Sequence, residues 1–331
     1  MTILRGGRPV VNLSIMLNYQ LNGMNVVGYH IFNIATHILN SIMVYFLVLG
    51  TLTLPQFLDR YQGKAKWMAL FCALLFGVHP IQTESVTYII SRSELLATFF
   101  YLAAFLLLIR GARSRNFLYA IGVMIASVLA VSSKEWAVTL PALLVLYDFL
   151  FLAEGKVKQV LSRWYYYVLA ALTWILVIQK LNLFATGGTA GVGFNIVSTT
   201  GVTAKSYLYT SFNVIWTYIR LLFLPINQNL DYDYPIAKTL FELPTILSLA
   251  GHLMIIAAAV WLYRTKKWTL IPFGVAWFYI GLSPVQSFVP VVDVIFEHRL
   301  YMPSIGFFLF FIVLYESVFD WIEKRKAAAT A

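Results

Sequence analysis

The sequence predicts an all-α, polytopic transmembrane bundle of about nine spans plus one interfacial or re-entrant helix. Three observations carry that prediction. Hydrophobic residues make up 60% of the chain and charged residues only 11%, with a mean hydropathy of +0.77; a soluble domain needs more polar residues to cover its surface. Apolar runs recur at close to the ~20 residues a helix needs to cross the hydrocarbon core. The basic residues sit in short clusters between those runs, the pattern of topology determinants. The formal net charge of +10 therefore does not point to nucleic acid.

The apolar runs fall at about 27–49, 66–79, 94–110, 117–132, 136–153, 164–182, 246–263, 268–282 and 303–321. The run at 66–79 is short, so a tilted or locally thinned crossing is expected. The single cysteine, Cys72, lies inside that run, which excludes an intrachain disulfide. No apolar core with a small-residue cleavage site marks residues 1–24 as a secretory signal.

Orientation follows from Lys and Arg. Arg60/Lys64/Lys66, Arg110/Arg113/Arg115, Lys156/Lys158/Arg163, Arg264/Lys266/Lys267 and Lys324/Arg325/Lys326 occupy alternate ends of the spans. By the positive-inside rule those ends are cytoplasmic. The opposite ends carry Glu84, Glu94, Glu135, Asp231, Asp233, Glu242, Asp293 and Glu297. Parity then requires 204–224, which holds Lys205, Asn213 and Arg220, to begin and end outside without crossing. It also puts residues 1–26 outside, as a segment ahead of the helical domain 27–323 and a short cytoplasmic tail 324–331. Either that short segment crosses unaided or, the favoured expectation, an earlier span absent from this sequence carries it across.

Chemistry is expected on the outer side, in five places. HPIQTESVTYIISRSE, residues 79–94, gathers His79, Glu84, Arg92 and Glu94. If 81–93 is helical, Glu84, Tyr88 and Ser91 share a face. Charges at membrane depth are costly, which favours a functional role; an interfacial helix anchored by its charges is the alternative. Lys134-Glu135 occupies a tight turn before Trp136, suited to a sugar or phosphate pocket or to topology alone. Asp231 and Asp233 in NLDYDYP share a side if extended. They are candidates for general base, sugar-hydroxyl acceptor or ligand of a divalent cation, or form a solvated turn. Glu297-His298-Arg299-Leu300-Tyr301 brings an anion, a titratable ring, a guanidinium and a phenol beside the last span; arginine's planar fork suits phosphate. Arg5 and Arg8 run against the positive-inside trend and suggest an anionic partner. No P-loop, GxSxG elbow, HExxH or zinc-type Cys/His spacing is present. The GxG pieces at 191–193, within a Gly-rich excursion over 183–203, lack strand–turn–helix context.

In order along the chain, RPVVNLSIMLNYQLNGMNVVGYHIFNIATHILNS, HPIQTESVTYIISRSELLATFF, SKEWAVTLPALLVLYDFL and EHRLYMPSIGFFL resemble the membrane domain of the transmembrane-and-tetratricopeptide-repeat O-mannosyltransferases. Bacterial relatives with an LDYDYP-like segment look closer still. The resemblance runs from about Arg8 to Phe310. It implies a C-type glycosyltransferase fold, a polyprenyl-phosphate-linked sugar donor, a hydroxyl acceptor on a protein or glycan, and inverting transfer on the non-cytoplasmic side of a bacterial inner or endoplasmic reticulum membrane. Carried onto the matching residues, it assigns Arg299, Lys134, Arg92 and Arg8 to the carrier phosphate. Glu84, Asp231, Asp233 and Glu135 become candidate catalytic carboxylates, and His79, Glu297, His298 and Tyr301 pocket residues. No metal is required by the resemblance. Relatives carry an acidic catalytic motif between an N-terminal span and the Arg-Pro segment, and repeats after the membrane domain. The given sequence has neither, so the catalytic acid is expected upstream of it. A lipid-linked sugar transporter and a truncated, non-catalytic scaffold are the alternatives.

Overall fold

The computed structural model describes residues 7–181, 202–266, 268–291 and 293–330, so Arg5 and the Gly-rich sequence at 187–193 lie outside the described residues. All regular structure among them is helical. The main elements are α1 (Pro9–Asn22), α2 (Val26–Leu52), α3 (Ala65–Val78), α4 (Thr83–Thr87), α5 (Arg92–Ser114), α6 (Leu118–Ser133), α7 (Leu140–Tyr147), α8 (Trp164–Ala171), α9 (Thr173–Leu181), α10 (Ala204–Phe223), α11 (Leu243–Lys266), α12 (Leu270–Leu282) and α13 (Ser304–Thr330). Five helical stretches are long and apolar enough to cross a membrane, and α3 continues into Pro80–Thr87 as a sixth, bent by 50°. Leu118–Ser133, Trp164–Ile178 and Leu270–Leu282 are apolar but shorter. These account for all nine predicted positions.

Local chemistry sets the boundaries. Pro9 starts α1 at a position where its missing N–H costs nothing, so the outer-face segment is partly helical, which the sequence reading did not predict. Asn25 caps α2 by accepting from the Val27 amide at 3.1 Å. His79 precedes a proline, which disfavours helical backbone. It is extended, ends α3, and its Nδ1 accepts from the Ile81 amide at 3.2 Å. The helix expected over 81–93 is also broken, at Tyr88, which is extended. Glu84 and Ser91 are consequently buried while Tyr88 is exposed, so these three residues do not share one helical face.

The core is aromatic where α5, α7 and α12 meet: Phe105 lies 5.1 Å from Trp277 and 5.4 Å from Tyr147 between ring centroids. Beside it, α12 and α13 approach closely, since a Cβ on Gly274 would come within 2.5 Å of the Gly306 carbonyl. Small residues permit such backbone proximity in membrane helices.

The two ends of the bundle differ. At one, Lys64 pairs with Glu316 and Asp320 at 3.2 and 2.5 Å, and Arg60 lies over Trp268. There Asp148, in a π-helical turn, is buried and accepts from Arg163 at 2.7 and 2.5 Å; this bonding raises the pKa of Arg163. At the other end lie Arg8, Glu84, Glu94, Lys134, Glu135 and residues 297–299. Helix α10 belongs to that second end. Tyr207 donates to the Val285 carbonyl at 2.7 Å, Trp216 to Ser248 at 2.9 Å, and the Leu222 carbonyl meets His79 Nε2 at 3.2 Å. Its partners on α11 thus come from the first turns of that helix.

Candidate active site

At the acidic end a cleft of about 330 Å³ is lined by Thr83, Glu84, Thr87, Tyr88, Gln228, Asn229, Leu230 and Glu297. The break at His79-Pro80 puts α4 across one wall, and the polar segment 224–235 forms the other. That segment turns at Asn227, whose φ of +57° is tolerable for asparagine. Asn229 Oδ1 then accepts from the Asp231 amide at 3.3 Å, a local turn bond.

Glu297 is held by three donors: Gln228 Nε2 at 2.6 Å, the Asn229 amide at 2.8 Å, and the Tyr232 hydroxyl. Burial, with the adjacent carboxylate, pushes the Tyr232 phenol up, so it stays a neutral donor. Opposite, Glu84 accepts from the His298 amide at 2.8 Å and pairs with His298 Nδ1. The other face of the imidazole looks at Glu94, Nε2 lying 3.8 Å from Oε1. Glu94 is fully buried, 2.8 Å from Lys134 Nζ and 2.5 Å from the Trp136 indole nitrogen. A carboxylate–imidazole–carboxylate–ammonium series therefore runs from the cleft into the bundle, Glu84, His298, Glu94, Lys134. Such a series gives the cleft a carboxylate, Glu84, oriented by an imidazole that is itself backed by a buried ion pair.

The remaining predicted site residues take other places. Asp231 and Asp233 are exposed, while the alternating Tyr232 and Tyr234 turn inward. Glu135 pairs with Arg8 at 3.2 Å. Arg299 spans the preceding turn, donating to the Asp293 and Val294 carbonyls at 2.7 and 3.0 Å. Arg92 is fully buried away from the cleft, donating to Asn33 at 3.0 Å and the Tyr29 carbonyl at 3.2 Å, with Phe32 beneath it at 4.2 Å. Tyr301 is also fully buried, its hydroxyl 2.7 Å from His37 Nδ1 and 3.1 Å from Asn40 Nδ2; burial raises its pKa. His79 is occupied as a cap and by the α10 carbonyl. Among the described residues no group of three or more His, Cys, Asp or Glu side chains gathers as a metal site.

Two features escaped the sequence reading. The holders of Glu297 come from the 224–235 segment, and their contact is long-range. The second is a buried polar seam on α2, made by Asn33, Thr36, His37 and Asn40. His37 Nε2 meets the Gly77 carbonyl at 3.0 Å and Asn40 donates to Leu95 at 2.9 Å. Their helical spacing in an apolar span is a signal the sequence does carry.

Taken together, the apolar helices define a multi-pass membrane protein, with a carboxylate-lined cleft at one end of the bundle. The chain is 26% identical to the Protein O-mannosyl-transferase F38B6.6 of Caenorhabditis elegans over 94% of its own length and 42% of that protein. It is 25% identical to the human Protein O-mannosyl-transferase TMTC4 over 97% of its length and 48% of the relative. Identity to human TMTC3 rises to 34%, over 45% of the chain and 15% of the relative. Over nearly its whole length the chain is thus similar to proteins named protein O-mannosyl-transferases. It spans less than half the length of the first two relatives. No family model and no solved structure matches it.

Proposed function

We propose that the chain is the membrane-embedded part of a glycosyltransferase that moves mannose or a similar hexose from a polyprenyl-phosphate carrier to a Ser or Thr hydroxyl of an exported protein. The reaction takes place on the non-cytoplasmic face, in a bacterial inner membrane in preference to the endoplasmic reticulum. The observation that carries the reading is the pairing of Glu84 with His298 at the cleft. The two motifs that supply them, HPIQTES and EHRL, are among those that resemble the family.

In transfer, the acceptor oxygen forms a bond to the sugar's anomeric carbon while the bond from that carbon to the carrier phosphate breaks. The hydroxyl proton goes to a base, and the departing phosphate keeps the bonding electrons. Glu84, oriented by His298, is the candidate base on this chain. Glu297 is placed to accept hydrogen bonds from sugar hydroxyls. Arg299 is the cation for the departing phosphate: it is partly exposed and bonded to carbonyls, whereas Lys134 and Arg8 face carboxylates and Arg92 is buried.

The test is mannose transfer from polyprenyl-phosphate mannose by the full-length protein in membranes. Glu84→Gln and Arg299→Ala should each lower the rate by about 10²-fold or more. Wild-type rates in both, with normal membrane levels, would sink the assignment.

A further inference from the structure

A cavity of about 690 Å³ opens at the opposite, basic end, between α2 and α5. Phe46, Leu106 and Ile109 form its apolar wall, and Arg110, Arg113 and Ser114 its polar rim. Two features distinguish it from an ordinary cluster of topology-setting cations. Arg110 and Arg113 stand three residues apart on α5, hence on one face, and both border the same cavity. The facing wall includes Gly50 of α2, whose carbonyl lies 3.5 Å from Arg113 Nη2.

The second feature is electrical. Both arginines are exposed, and neither forms an ion pair with an acid among the described residues. Of the other cations at this end, Lys64 is matched by Glu316 and Asp320, Lys156 by Glu154 and Arg163 by Asp148, while Arg115 and Lys158 also lack an ion pair among the described residues but do not border the cavity. An apolar slot rimmed by two unmatched guanidiniums complements an amphiphile with a phosphate head. A guanidinium holds two phosphate oxygens at once, and anionic lipids concentrate where basic residues meet a leaflet.

We infer that this cavity binds an anionic phospholipid of the adjoining leaflet, its phosphate on Arg110 and Arg113 and its first acyl carbons against Phe46, Leu106 and Ile109. The lipid braces α2 against α5 at this end. At the far end the same two helices are joined by the Asn40–Leu95 and Arg92–Asn33 hydrogen bonds.

The experiment is native mass spectrometry of the whole chain in phosphatidylcholine nanodiscs, titrated with phosphatidylglycerol. Arg110→Ala with Arg113→Ala should weaken phosphatidylglycerol binding by about tenfold or more. Lys156→Ala with Lys158→Ala removes the same charge from this end and should leave binding unchanged. Should the first pair fold poorly, Leu106→Trp fills the slot while keeping both arginines, and should also reduce binding. Equal weakening by the two double substitutions would mean a bulk charge effect and overturn the site. So would equal affinity for phosphatidylcholine, or displacement by glycerol 1-phosphate at concentrations comparable to the lipid.

Discussion

Glu94 is among the charged side chains that the bundle buries completely. Its carboxylate is fully buried, and Lys134, the Trp136 indole and His298 surround it. A buried ion pair adds little net stability, but removing one partner strands a charge at about 3–5 kcal/mol. Lys134→Met should therefore lower the melting temperature in detergent strongly, and adding Glu94→Leu should restore much of it. Equal melting of the single variant and wild type would show that Lys134 does not neutralise Glu94. This bears on what the sequence could reveal at residue scale. Glu84, His298 and Lys134 stand out as polar residues at the ends of apolar runs. Arg92 stands out equally, yet its guanidinium is spent on Asn33, Tyr29 and Phe32. Sequence registers the cost of a buried charge and is silent about which neighbour offsets it.

Among the elements, the broken helix at His79-Pro80 was legible, because proline and the residue before it restrict the backbone locally. The second break, at Tyr88, was not, since no proline or glycine marks it. It leaves the chain extended between α4 and the turn that enters α5. Helix α1 was missed for a related reason: the segment is short of a span, and its contacts to α6 join segments far apart in sequence. The α12–α13 pair was legible as two spans but not as a close pair, which depends on Gly274 and Gly306 facing each other. A side chain at Gly306 would meet Trp277 Cβ at 2.9 Å, and Trp277 is part of the aromatic core. Gly306→Leu should thus separate the helices, cut the yield of folded protein and lower its melting temperature by more than Gly122→Leu does. A Cβ at Gly122 meets only the end of Leu107, at 3.2 Å or more, which can move. Comparable effects of the two substitutions would mean the α12–α13 approach is not tight.

At the scale of the whole molecule, the question is which way the bundle faces and whether α10 crosses. Helix α10 has 20 residues, about 30 Å at 1.5 Å per residue, so length alone allows it to span. Its composition argues otherwise: Lys205, Asn213 and Arg220 lie within it, and it is not among the helices apolar enough to cross. Its contacts agree, because both its ends meet groups at the acidic end of the bundle. With α10 lying flat, Lys205 before its second turn and Asp231 after it sit on the same side, opposite Lys158. Single cysteines test this in a Cys72→Ala background, which removes the buried native thiol. A membrane-impermeant maleimide added to intact cells should label Lys205→Cys and Asp231→Cys. Lys158→Cys should react only after permeabilisation. Labelling of Lys205→Cys and Asp231→Cys from opposite sides would make α10 a tenth crossing and reverse the orientation of every span on one side of it. The cleft, built from segments before and after α10, could then no longer lie on one face. Labelling of Lys158→Cys alone in intact cells would instead keep α10 flat and turn the whole bundle over, placing the Glu84–His298 cleft in the cytoplasm.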